Sequence, residues 1–194
     1  MRHIKNKAED NREIHFLNSY WKQFVQKKKS IDYFLPLLDV SNTINNESFY
    51  ASLAISLYIS QISKISNCIV AMDKFPTWIS LPESLSFYEQ VSIVLESIHN
   101  LQNNTCNYQK AIQLIIHTLK ETNVNQQFIK NMKLLILSEF ENSIISEKDI
   151  ETMFFSSGFM CFPKIVYWNF SQNKVHDIPC NIHIKQSSLY SGFS

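Results

Sequence analysis

Three short runs place oxygen- and sulfur-bearing side chains where chemistry is plausible. Asp39-Val40-Ser41-Asn42-Thr43 follows an apolar run; Ser138-Glu139-Phe140-Glu141 follows another; Asn104-Thr105-Cys106-Asn107 precedes a helical pattern. If the apolar runs are strands of an open α/β sheet, ligands bind beyond their carboxyl ends, where the strand order reverses. A carboxylate, three hydroxyls and a second carboxylate would then converge. Hard oxygen donors of this kind suit Mg²⁺, which keeps several waters and needs few protein ligands.

Other constellations are weaker. His176, Cys180 and His183, with Cys161, suggest zinc, but their spacing fits no standard knuckle and falls in a loop between strands. Cys106 near His117 would make a nucleophile–base pair only if helix geometry allowed it. No G-x-S-x-G elbow is present, so an α/β-hydrolase reading lacks its nucleophile. The only glycines of the 194 residues are Gly158 and Gly192, which excludes a glycine-rich phosphate loop before residue 158. His99 and His117 read as surface or core residues of helices.

The elements that must position these groups are legible from periodicity. Residues 8 to 28 form an amphipathic basic helix with Leu17, Tyr20, Trp21, Phe24 and Val25 on one side. Glu47 to Ile62 is apolar nearly all round and reads as a buried helix. Phe87 to Ile98 and Tyr108 to Leu119 are further helices, and Asp149 to Phe155 a short one. Continuous apolar runs at Tyr33 to Leu38, Cys68 to Met72, Lys133 to Ser138 and Lys164 to Asn169 read as buried strands. Thr77 to Ser80 is a candidate strand and Ser187 to Tyr190 a weak last one. Strands alternating with helices predict a doubly wound, mainly parallel α/β sheet with helices on both faces, Rossmann-like in class. Pro36 conflicts with a central strand, so the first strand is expected to pair mainly after it.

Composition bounds the rest. Hydrophobic residues are 45% and aromatics 13%, which excludes a mainly disordered chain. Net charge is +1, but residues 1 to 30 hold eight Lys/Arg against three Asp/Glu, ending in Lys27-Lys28-Lys29. A basic start favours RNA or an acidic partner, against the plainer reading of a solvated helix face. Tyr20, Trp21 and Phe24 could stack on bases, but their helical spacing favours core packing. Met1 to Asp10 is polar, no apolar stretch approaches the ~20 residues of a membrane span, and the four cysteines lie far apart. These features lead us to expect a reduced, intracellular protein with no membrane association.

The run DVSNT resembles the D-x-S-x-S start of a metal-ion-dependent adhesion site in a von Willebrand factor A domain. WKQFVQKKKSIDYFLPLLDVSNTI, NTCNYQKAI, LLILSEFE, PKIVYWNF and the terminal SGFS follow in order. Together they resemble the C-terminal domain of an uncharacterised family of plants, fungi and large DNA viruses, related to the A domain of Ro-type (TROVE) RNA-binding proteins. The resemblance covers roughly Leu17 to Ser194. It implies an N-terminal helix over 1–30 and an A-like domain over 31–194 that lacks the family's usual final helix. That helix would cover a sheet face, so the helix around Trp21, a partner or a second copy is expected to cover it instead.

The resemblance also implies a metal site built from Asp39, Ser41, Thr43, Thr105, Cys106 and Glu139, with Mg²⁺ as cofactor. Departures mark it as degenerate. Asn42 replaces a glycine. Cys106 stands where a threonine ligand belongs, with Thr105 one residue early, and a thiol is a poor Mg²⁺ ligand. Glu139 replaces an aspartate, which moves the carboxylate by about 1.5 Å. The function implied is a non-enzymatic protein-interaction module, or a second copy's partner in self-association, located in the cytoplasm or a virion. A Ro-like RNA-binding component and a metal-dependent hydrolase are the alternatives; the hydrolase lacks a clear general base.

Overall fold

The computed structural model describes residues 2–26, 29–41, 47–65, 67–98, 106–138, 145–169 and 174–177, with side chains described except at 2–10, 169 and 174–177. Helix α1 spans Arg2–Gln26, strand β1 Phe34–Asp39, α2 Glu47–Ile62, β2 Cys68–Met72, β3 Thr77–Ser80 and α3 Phe87–Ser97. Then come α4 Tyr108–Glu121, α5 Gln126–Asn131, β4 Lys133–Ser138, α6 Glu147–Ser156, β5 Lys164–Asn169 and β6 Lys174–Asp177.

The strands form one sheet in the order β3-β2-β1-β4-β5-β6. β2, β1, β4 and β5 run parallel, while β3 and β6 are antiparallel edge strands. The chain is therefore α/β with a mostly parallel sheet, as expected. Parallel strands buried on both faces must be apolar throughout, which is why CIVAM and KLLILS read as unbroken runs. Leu35, Leu37, Leu134, Ile136, Ile165 and Tyr167 pack with α4, α5 and α6 through Ile112, Ile115, Ile129 and Phe154. The intervening Leu38, Ile69 and Ala71 pack with α2 and α3 through Leu53, Leu57 and Val94. Phe34, Leu135, Leu137 and Val166 meet Ile59 of α2. The side-chain alternation of a strand thus divides the core between two helical layers.

Helix starts follow local chemistry. Ser86 caps α3 in a capping box with Glu89, and the side chains of Asn107, Asn125 and Ser146 cap α4, α5 and α6. Buried Ser52, Ser56 and Ser60 let α2 lie close to the sheet. Ser63 Oγ accepts from Phe34 N at 2.9 Å and donates to Phe34 O at 2.7 Å, tying the end of α2 to the start of β1.

Several expectations need correction. Pairing after Pro36 holds only toward β2, where it begins at Leu37; toward β4, β1 pairs from Phe34 onward, through Pro36 itself. The proline is tolerated where one neighbour has not yet come into register. The segment after β5, expected as a loop, contains β6, which carries His176. α5 had no counterpart in the periodicity, because six residues give too few turns to show one. α1 begins at Arg2 rather than residue 8. The expected strand Ser187 to Tyr190 lies outside the described residues.

α1 packs on α3 and α2. Trp21 stacks on Phe87 at 4.3 Å between ring centroids and donates from Nε1 to Gln61 Oε1 at 2.9 Å. Phe24 lies 5.0 Å from Tyr58. Two of the three aromatics considered for base stacking are thus engaged in packing, while Tyr20 is 59% exposed. Among the described residues, no helix is long and apolar enough to cross a membrane.

Candidate functional site

β1 turns off the sheet at Asp39, between β2 on one side and β4 on the other, so the strand order reverses beside it. Asp39 is opposite Met72 in β2, and Leu38 is opposite Leu137, which places Ser138 next to Asp39 at the end of β4. Ser138 Oγ donates to Asp39 Oδ2 at 2.6 Å. The Tyr108 hydroxyl, on the first residue of α4, reaches the same Oδ2 at 3.3 Å and Ser138 Oγ at 3.4 Å. The other carboxylate oxygen, Oδ1, accepts from Ser41 N at 2.9 Å, closing an Asx turn after the strand. Asp39 and Ser41 are partly exposed, whereas Tyr108 and Ser138 are buried.

Cys106 sits beside this group, ahead of α4. Burial pushes its thiol well above the ordinary range, and the Asp39 charge pushes further. A hydrogen bond from Tyr108 opposes the shift; the Asp73 charge and a hydrogen bond to Asp39 add to it. Burial therefore disfavours the thiolate form of Cys106 that a nucleophile needs. His117 offers it no base: nine residues along α4 from Tyr108 is about 13 Å of helix rise, and His117 Nδ1 lies 3.3 Å from Glu121.

β2 contributes the flank. Met72 O accepts from Val40 N and Asp73 O from Asn107 N, both at 3.2 Å, which joins the ends of β1 and β2 to the start of α4. The buried Asp73 carboxylate accepts from Phe75 N. Next to the site an open groove of about 520 Å³ runs between the start of α4 and α6. Cys106, Tyr108, Ile145, Asp149 and Met153 line it.

Of the six predicted site residues, Asp39, Ser41 and Cys106 come together at the carboxyl ends of β1 and β4. Thr43, Thr105 and Glu139 lie outside the described residues, as do Cys180 and His183 of the zinc candidate. Cys161 Sγ donates to Gln126 O at 3.3 Å. Tested against Mg²⁺, the described donors are mixed: Asp39 and Ser41 offer hard oxygens, and Cys106 a soft sulfur. Among the described residues no group of three His, Cys, Asp or Glu side chains is placed to hold a metal ion.

Sequence reasoning placed the Ser138 run at the site without giving Ser138 a role, and missed Tyr108. Tyr108 satisfies helical spacing as an apolar residue, and Ser138 looks like the end of a strand. The available signal was positional: a hydroxyl residue closing the strand next to the one that ends in aspartate.

Residues 35–194 match a family described as Domain of unknown function (DUF7788). The chain belongs to that family. The DUF7788 region begins at Leu35, one residue into β1, and so takes in the rest of the described sheet and the described Asp39 site, while α1 precedes it and packs on α3 and α2. No curated protein matches the chain.

Proposed function

We propose that this chain is a non-enzymatic protein-interaction module of von Willebrand A type, with a doubly wound sheet and a degenerate metal-ion-dependent adhesion site centred on Asp39. One observation carries this reading. Asp39 is fixed by Ser138 and Tyr108, and turned toward Ser41, at the carboxyl edge where the strand order reverses.

The divalent cation would be held by the oxygens of Asp39 and Ser41, with Thr43, Thr105 and Glu139 as the remaining protein donors and water completing the shell. A bound Mg²⁺ supplies an open coordination position for an oxygen of a partner. The chain's own residues do the positioning. Ser138 and Tyr108 stop the Asp39 carboxylate from rotating, and the Ser41 N–H points its Oδ1 along the turn.

Paramagnetic Mn²⁺ tests the placement. In an amide NMR spectrum, substoichiometric Mn²⁺ should broaden the signals of Ser41, Tyr108 and Ser138 selectively, and Asp39→Asn should remove the effect. Uniform broadening, or broadening centred elsewhere, would refute a cation site at Asp39.

A further inference from the structure

The same edge of the sheet carries a second feature that Asp39 does not explain. Lys74 and Phe75 follow Asp73 just after β2, and Lys110 lies in the first turn of α4. The Phe75 ring is 63% exposed, large for an apolar side chain. The Lys74 ammonium lies over this ring at 5.6 Å from its centroid, and the Lys110 ammonium at 5.1 Å. Both lysines are exposed, and among the described residues neither is within ion-pair distance of a carboxylate. The nearest acid in sequence, Asp73, is buried and accepts from the Phe75 backbone. The rim therefore presents two ammonium groups gathered on one aromatic ring, and among the described residues neither is ion-paired.

The ring quadrupole attracts each ammonium group, which gathers two positive charges at one edge. We propose that Lys74, Phe75 and Lys110 form the docking rim for an acidic protein segment. Carboxylates of that segment would pair with the two ammonium groups while its apolar atoms cover the Phe75 edge. A single-stranded nucleic acid fits less well. Base stacking needs a clear ring face, and here ammonium groups lie over the ring. The inference deepens the interaction-module reading by naming the partner's chemistry, and its charge contact does not require a cation at Asp39.

A fluorescein-labelled peptide of ten glutamates with one central tyrosine tests it, by anisotropy at low ionic strength in Mg²⁺ and in EDTA. The full chain should bind this probe, and the affinity should fall as salt is raised. Lys74→Gln with Lys110→Gln should raise Kd about five-fold, as expected for the loss of two exposed charge pairs. Lys74→Arg with Lys110→Arg should restore binding. Lys120→Gln with Lys130→Gln, which removes two charges elsewhere, should leave it unchanged. Equal losses in both glutamine pairs, no binding of the probe by the folded chain, or tighter binding of a ten-nucleotide uridine RNA through the same lysines would overturn the proposal. Persistence of the lysine effect in EDTA and in Asp39→Asn separates the rim from the cation, whose own presence is read by the Mn²⁺ broadening, so either can fail without the other.

Discussion

Ser138 donates a 2.6 Å hydrogen bond to Asp39, a residue 99 positions earlier in the chain. The contact exists because β1 and β4 are parallel neighbours in register, Leu38 opposite Leu137. It fixes a partly exposed carboxylate at the point where β1 leaves the sheet. A hydrogen bond to an ionised group stabilises a fold more than a neutral one does.

Ser138→Ala should therefore destabilise the fold by about 1.5–3 kcal/mol. Tyr108→Phe, which loses the longer 3.3 Å contact, should cost only about 0.5–1.5 kcal/mol. Urea denaturation of both variants checks the ranking. A larger loss for Tyr108→Phe would show that the tyrosine, rather than the serine, holds Asp39.

Stability should fall at alkaline pH. Burial pushes the Cys68 thiol from an ordinary value of 9.0 up to about 12, and Cys106 is raised in the same direction. The folded state then holds thiol protons that the unfolded chain releases above about pH 9. The stabilisation is complete below that pH and is lost as pH rises toward the folded values. Each thiol should contribute a slope of up to about 1.4 kcal/mol per pH unit. Urea midpoints measured from pH 7 to 11 should decline above pH 9, and less steeply in Cys68→Ala. An unchanged slope in that variant would contradict the assignment.

α1 should be part of the cooperative fold although it precedes the DUF7788 region. Trp21→Ala removes the Phe87 stack and the Gln61 hydrogen bond. The expected loss is about 2–3 kcal/mol, below that of a fully buried tryptophan because Trp21 is partly exposed. Coincident unfolding by circular dichroism and by tryptophan fluorescence would support this. A separate early fluorescence transition would mean that α1 detaches on its own.

Much of the architecture was legible in single residues and runs. CIVAM, KLLILS and KIVYWN read as buried strands because both of their faces are covered, and the spacing from Tyr108 to Leu119 marked α4. Asp39 stood out because a carboxylate follows an apolar run. Its partners did not stand out. Tyr108 and Ser138 meet Asp39 only through strand register and the placement of α4, and those are tertiary facts that local pattern does not encode. α5 was too short for periodicity, and the Pro36 expectation held on one side of β1 only, because the proline's tolerance depends on which neighbour pairs where. The Lys74, Phe75 and Lys110 rim was also invisible, since Lys110 joins the other two only when α4 lies against the end of β2.

The central claim is a cation-binding, partner-facing site at Asp39, and thermal melts with Mg²⁺ or Mn²⁺ test it most directly. A cation that binds only the folded state stabilises it by RT ln(1 + [L]/Kd), about 1.4 kcal/mol at ten times Kd. For a chain of this length that is a rise of about 3–6 °C in Tm. The account predicts such a rise in the wild type, saturating with metal concentration, and none in Asp39→Asn. No rise at 10–20 mM metal (on the order of ten times a millimolar Kd), or an equal rise in Asp39→Asn, would contradict it.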